Sequence, residues 1–214
     1  MTLATGLLML GDSGAPRGIV ASRQGTLAPD EGPGILAGIF GRPRTASYSG
    51  DGAGDLSHDP IRPRQAPLDA QRWQSIVIHH SGAPAGDAES IERQHLSYGY
   101  ASLGYHFVVG NGHGLGDGAV FVGPRWNQQQ AGAHANGPKA EWLNDHAIGI
   151  CLVGNGDRRP FTDRQIRELV ALVRRLQETF DIPATAIHLH SDVAAVSSPG
   201  RLFPAAAFES QMRH

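Results

Sequence analysis

Ser75-Ile76-Val77-Ile78-His79-His80 is the stretch on which the fold turns. Its apolar, largely β-branched run stops at Ser81-Gly82, the pattern of a buried strand ending in a turn. Downstream, Gly104-Tyr105-His106-Phe107-Val108-Val109-Gly110 reads as a second strand and Ala119–Val122 as a short third. Ala147-Ile148-Gly149-Ile150-Cys151-Leu152-Val153-Gly154 reads as a fourth, central because both of its faces are small or apolar. Asp87 can cap a helix running to about Tyr98. The clearest helix runs from Thr162 to about Phe180. Thr162 and Gln165 form a capping box, and Ile166, Leu169, Val170, Val173, Leu176 and Phe180 recur at spacings of three and four. Thr185–His190 reads as a last strand and Pro204–Met212 as a closing helix. Strands alternating with helices predict an α/β domain, a single mixed β-sheet flanked by helices.

Composition divides the chain of 214 residues in two. Residues 1–66 hold 12 of the 28 Gly and 6 of the 14 Pro, with Phe40 and Tyr48 their only aromatics. Such a segment buries too little apolar surface to offset its ordering entropy. It reads as a flexible or loosely docked extension with one apolar patch at Ile35–Phe40, and residues 67–214 as the compact domain. Met1–Leu10 is apolar but shorter than the roughly 20 residues of a bilayer span. It also lacks the basic start of a signal peptide. It reads either as a docked terminus or as the tail of an export segment that begins upstream. A net charge of −2 argues against a nucleic-acid partner, which calls for a basic face. The single cysteine, Cys151, excludes an intramolecular disulfide framework and a multi-cysteine zinc site. It falls mid-strand and reads as a small core residue. Eleven histidines stand against that one cysteine, so any metal here must rely on imidazole.

His79 closes its strand, where α/β sheets place their ligands. His188 and His190 lie two apart in a predicted strand and therefore share a face. Alone, these pairs leave a metal site and ordinary polar residues about equally good readings.

The order of motifs adds more. Ile78-His79-His80-Ser81 is followed by Gln94-His95, Gly104-Tyr105-His106-Phe107, Gly132-Ala133-His134, Ala147-Ile148-Gly149-Ile150 with Gly154-Asn155, then His190-Ser191-Asp192-Val193 and Pro199-Gly200. This series resembles the type 2 N-acetylmuramoyl-L-alanine amidases, which include the peptidoglycan recognition proteins and amidase-type phage lysozymes. The resemblance covers about residues 72–208. It implies one zinc in a groove above the sheet, with His79 and His190 as ligands. The third ligand of the family is a cysteine or aspartate before a Pro-Gly, eight residues after the second histidine in the cysteine-bearing branch. Here that position holds Ser198, a degenerate third position, and Val196 stands where the phage-type branch has a lysine. His188 is a candidate substitute ligand, and Asp192 a poorer one.

The resemblance further implies that Tyr105 orients the attacking water or donates to the developing oxyanion. It implies that His134 meets the muramyl peptide or the reacting carbonyl. Both therefore stand as catalytic candidates. Arg125, Trp126 and Asn136 are candidates for binding the substrate at the groove rim, with Trp142 beside them. Arg125 would pair a stem-peptide carboxylate or stay solvated, and the tryptophans would line the rim or pack in the core. The implied activity is zinc-assisted hydrolysis of the amide between N-acetylmuramic acid and L-alanine. The alternative is a peptidoglycan-binding domain that does not cut, favoured by Ser198. Both need access to peptidoglycan, so an extracytoplasmic or envelope location and a monomer are expected.

Overall fold

The computed structural model describes residues 59–212. Of the extension expected over residues 1–66, residues 1–58, with the apolar patch and the Met1–Leu10 segment, lie outside the described residues. Residues 59–66, which composition assigns to the extension, pack onto the domain. Ile61 is buried in the main core, its carbonyl accepts Trp126 Nε1–H at 3.2 Å, and Asp59 pairs with Arg175.

Five strands form one sheet: β1 (Ser75–His80), β2 (Phe107–Val109), β3 (Val120–Val122), β4 (Ala147–Leu152) and β5 (Ile187–Leu189), in the order β3-β2-β4-β1-β5. Only β3 runs antiparallel to its neighbour; β2, β4, β1 and β5 are mutually parallel. The sheet is thus mixed, with β1 and β4 at its centre, and both are buried almost throughout.

Among the described residues six α-helices surround it: α1 (Ala88–Ser97), α2 (Pro124–Asn127), α3 (Ala140–His146), α4 (Asp163–Phe180), α5 (His190–Val193) and α6 (Ala205–Glu209). Two begin in reciprocal capping boxes. Asp87 accepts Ser90 N–H at 2.8 Å while Ser90 Oγ meets Asp87 N–H. Thr162 and Gln165 do the same for α4. Gln165 also donates through Nε2 to the carbonyls of Val109 and Val153, tying the start of α4 to the ends of β2 and β4. That second task explains why a glutamine is buried there.

Alternation along the strands gives the sheet two different faces. Ile76, Ile78, Phe107, Val109, Ile148, Ile150 and Leu152 pack with Leu169, Val173, Leu176 and Phe180 of α4 in the main core. The opposite face carries Val77 and His79 of β1 beside Gly149 and Cys151 of β4, which are their register partners. Small apolar clusters flank His79 there: Val77, Ala135, Leu143 and Ala147 on one side, and Ala88, Ile91, Leu103, Tyr105, Val108 and Cys151 on the other. The functional candidates gather in that gap.

Two expectations shift. The strand expected over Thr185–His190 is only Ile187–Leu189, and His190 opens the short helix α5. Trp126 and Trp142, expected at the groove rim or in the core, lie on the short helices α2 and α3, which no long apolar periodicity announces.

Candidate active site

His79 sits at the C-terminal end of β1, 0% exposed. Its ring centre lies 4.3 Å from that of His190 and 5.1 Å from that of Tyr105. His190 is equally enclosed. The turn after it is closed by Ser191 N–H donating to Ser198 O at 2.8 Å, which carries Ser198 back to the sheet. There the buried Ser198 Oγ accepts His80 N–H at 3.0 Å, and His80 Nδ1 meets Pro199 O at 2.7 Å. An eight-residue loop thus returns its last side chain to the strand end that bears His79.

Burial keeps the imidazoles of His79, His134 and His106 neutral. Burial, followed by the neighbouring imidazoles of His190 and His134, holds His79 well below its usual range. Burial likewise pushes His134 down to about 3 and lowers His106. A neutral imidazole is the form that ligates metal. His79 Nδ1 is buried without a hydrogen-bond partner among the described residues. Leaving such an atom unsatisfied costs about 1–3 kcal/mol, and functional sites are where that cost is tolerated.

The donor set fits a zinc-type ion in part. Two imidazoles suit it well. The third position offers a neutral hydroxyl in place of thiolate or carboxylate, and among the described residues no three His, Cys, Asp or Glu side chains are placed to hold one metal ion together.

Four of the expected site residues come together: His79, His190, Ser198 and Tyr105. His134 joins them differently from expectation. It is 7% exposed, with Nδ1 3.1 Å from His79 Nε2 and Nε2 3.1 Å from Ala147 O. It lies behind His79 rather than on an open groove wall.

Three candidates are placed differently from expectation. His188 pairs in register with Val77, not His79, and the charges that reach it are those of Asp192 and Lys139. Because α5 turns the chain at His190, the expected same-face strand geometry of the two histidines does not arise. Trp126 is 0% exposed and packs against Phe107, Trp73 and Phe180 in the main core, so it lines no groove. Arg125 donates through Nε to Leu103 O and through Nη1 to Ala131 O, spending its guanidinium on backbone rather than on a substrate carboxylate. It ties together the loops leading into Tyr105 and His134. Asn136 remains partly exposed before α3, and Trp142 is 46% exposed on α3, its ring 5.3 Å from that of His146.

Supporting residues went unassigned in the sequence. His106 accepts Gly149 N–H at Nδ1 and donates through Nε2 to Gln130 O. Asn144 Oδ1 accepts the amides of both His134 and Ala135. His106 lies in a quoted motif and could have been singled out. Asn144 carries no local signal, because its partners are ten and nine residues away.

With this geometry in place, comparison with known proteins gives a consistent result. The profile of the N-acetylmuramoyl-L-alanine amidase family, amidase type 2, matches residues 69–201, which include His79, Tyr105, His134, His190 and Ser198. The chain belongs to this amidase family. Among similar sequences, the endolysin of Enterobacteria phage K11 is 28% identical over 60% of this chain and 82% of its own length. Peptidoglycan-recognition protein SC2 of Drosophila melanogaster is 31% identical over 58% of this chain and 66% of its own. Human peptidoglycan recognition protein 3 is matched over only 36% of its length. Among solved structures, the N-acetylmuramoyl-L-alanine amidase LysC from Clostridium intestinale superposes with a TM-score of 0.55 at 28% identity, covering 69% of this chain and 91% of that one. The amidase family therefore supplies both lytic and recognition relatives, in line with the two activities that the motif series implies.

Proposed function

We propose that this chain is a peptidoglycan-directed amidase domain that hydrolyses the amide joining N-acetylmuramic acid to L-alanine. In this reading His79 and His190 hold a zinc ion, and the Ser198 hydroxyl occupies the third position. The observation that carries the reading is His79 Nδ1, an enclosed imidazole nitrogen without a hydrogen-bond partner beside the His190 ring. A surface that only bound glycopeptide would gain nothing from that arrangement. Zinc bound there would polarise the scissile carbonyl and acidify water. Tyr105, buried against the His79 ring, orients the attacking water and donates to the developing oxyanion. Asn136 and the exposed Trp142 belong to the substrate side.

Ser198 supports a second reading, recognition without cleavage, because it adds no charge to hold a divalent ion. A related solved structure, 25% identical to this chain, is that of tracheal cytotoxin bound to the ectodomain complex of the peptidoglycan recognition proteins LCa and LCx. Either function places the domain where peptidoglycan is, outside the cytoplasm or in the envelope. No described helix is long and apolar enough to cross a membrane.

The test is zinc content of the purified protein together with release of stem peptides from peptidoglycan. Cleavage that stops with a chelator and returns with zinc supports the amidase. Binding of muramyl peptide without cleavage, joined to cleavage by Ser198→Cys, establishes recognition instead.

A further inference from the structure

His134 has the surroundings of a part built into the protein. Its ring occupies the space two glycines leave open: a Cβ on Gly132 would lie 2.3 Å from His134 Cδ2, and one on Gly149 2.4 Å from the same atom. Asn144 pins the backbone on both sides of its Cα, accepting His134 N–H at 2.8 Å and Ala135 N–H at 2.9 Å. The ring is therefore seated against β4, in the space that the two glycines leave.

Its hydrogen bonds run in one direction only. Ala147 O can only accept, so His134 Nε2 carries the proton of the 3.1 Å contact. A neutral imidazole has one N–H, so His134 Nδ1 is a lone pair. It faces His79 Nε2 at 3.1 Å, and His79 Nε2 must then carry its own ring's proton. What remains on His79 is an unprotonated Nδ1, the enclosed nitrogen without a hydrogen-bond partner.

We infer that His134 is a positioning residue that fixes the tautomer and orientation of His79, through the relay from Ala147 O to His134 to His79, and does not itself meet the substrate. Partners of this kind in metal sites set which ring nitrogen is offered to the ion. The inference rests on the proposed function only where it gives His79 Nδ1 a metal to hold; the relay itself is a property of the metal-free protein.

The experiment is long-range ¹H–¹⁵N correlation of the histidine side chains in the metal-free full chain, with cobalt(II) titration alongside. In the wild type, both His79 and His134 are expected as Nε2–H tautomers. His134→Asn keeps an acceptor oxygen close to the Nδ1 position and should leave the His79 tautomer intact. His134→Leu removes the acceptor; His79 should then populate both tautomers and cobalt(II) affinity should fall 10- to 100-fold. A wild-type His79 protonated at Nδ1 overturns the inference, as does a folded His134→Leu variant with His79 tautomer and cobalt(II) affinity unchanged. Should His134→Leu fail to fold, the wild-type and His134→Asn spectra decide alone. The expected tautomers in a protein that binds no cobalt(II) would uphold the relay while removing the metal from the proposed function.

Discussion

Ser198 Oγ accepts the amide of His80 at 3.0 Å, one residue beyond His79, so the side chain in the third ligand position is held at the strand end by the backbone of β1 itself. A thiolate in the same place would receive the same N–H, and that hydrogen bond would favour its charged form. Ser198→Cys is therefore expected to bind zinc at least about 100-fold more tightly than wild type, measured by competition with a chromophoric chelator. Ser198→Ala should lose only the hydrogen bond, worth about 1 kcal/mol of stability in a denaturant melt. If Ser198→Cys bound zinc no better than wild type, position 198 would not be a ligand position at all.

Ordered local pattern made much of this legible from sequence. The β1 run, the two capping boxes and the α4 stripe each depend on residues within a few positions of one another, and each appears where expected. What the sequence left open has longer causes. Trp126 sits in a short helix, and whether it faces the core or a groove depends on Phe107 and Phe180, far away in the chain. His190 leaves the strand for α5, so strand alternation does not pair it with His188, which sits beside Val77 one side-chain step before His79. His134 takes its place from the absence of a side chain at Gly149.

That absence can be tested by filling it. A Cβ at Gly149 would sit 2.4 Å from His134 Cδ2, and at a buried central-strand position nothing flexible can yield. Gly149→Ala should cost roughly 2–3 kcal/mol, the upper part of the overpacking range, and displace His134. Gly116→Ala is the control, since its Cβ would meet only Ala119 Cβ at an ordinary 3.5 Å. Equal unfolding midpoints for the two variants would show that the cradle is not tight.

Acid should weaken the fold through His106 and His134. Burial holds both far below 6.5, His134 at about 3, whereas in the unfolded chain each takes up its proton near 6.5. Between those values the unfolded chain binds more protons, so stability falls as pH drops from about 6.5, while above it the full contribution is present. For His134 the slope is about 1.4 kcal/mol per pH unit, so about 2 kcal/mol should be lost between pH 7 and 5, and His106 adds a loss of the same sign. Melting followed by circular dichroism over that range reads it directly. His106→Asn, which keeps an acceptor for Gly149 N–H, should flatten the curve; an unchanged melting temperature from pH 7 to 5 would contradict the assignment.

The stretch just before the predicted domain boundary gives a case where magnitude separates two contacts. Asp59 and Arg175 form a 2.6 Å ion pair, but both side chains are substantially exposed, so Asp59→Asn should change stability by less than about 1 kcal/mol. Ile61, two residues on, is 6% exposed within the main core, and its carbonyl receives the buried Trp126 Nε1–H. Ile61→Ala removes side-chain volume beside that ring and should cost about 2–4 kcal/mol. Urea melts of the two variants decide whether this stretch belongs to the folded domain. A loss at Ile61 no larger than that at Asp59 would restore the boundary to residue 67.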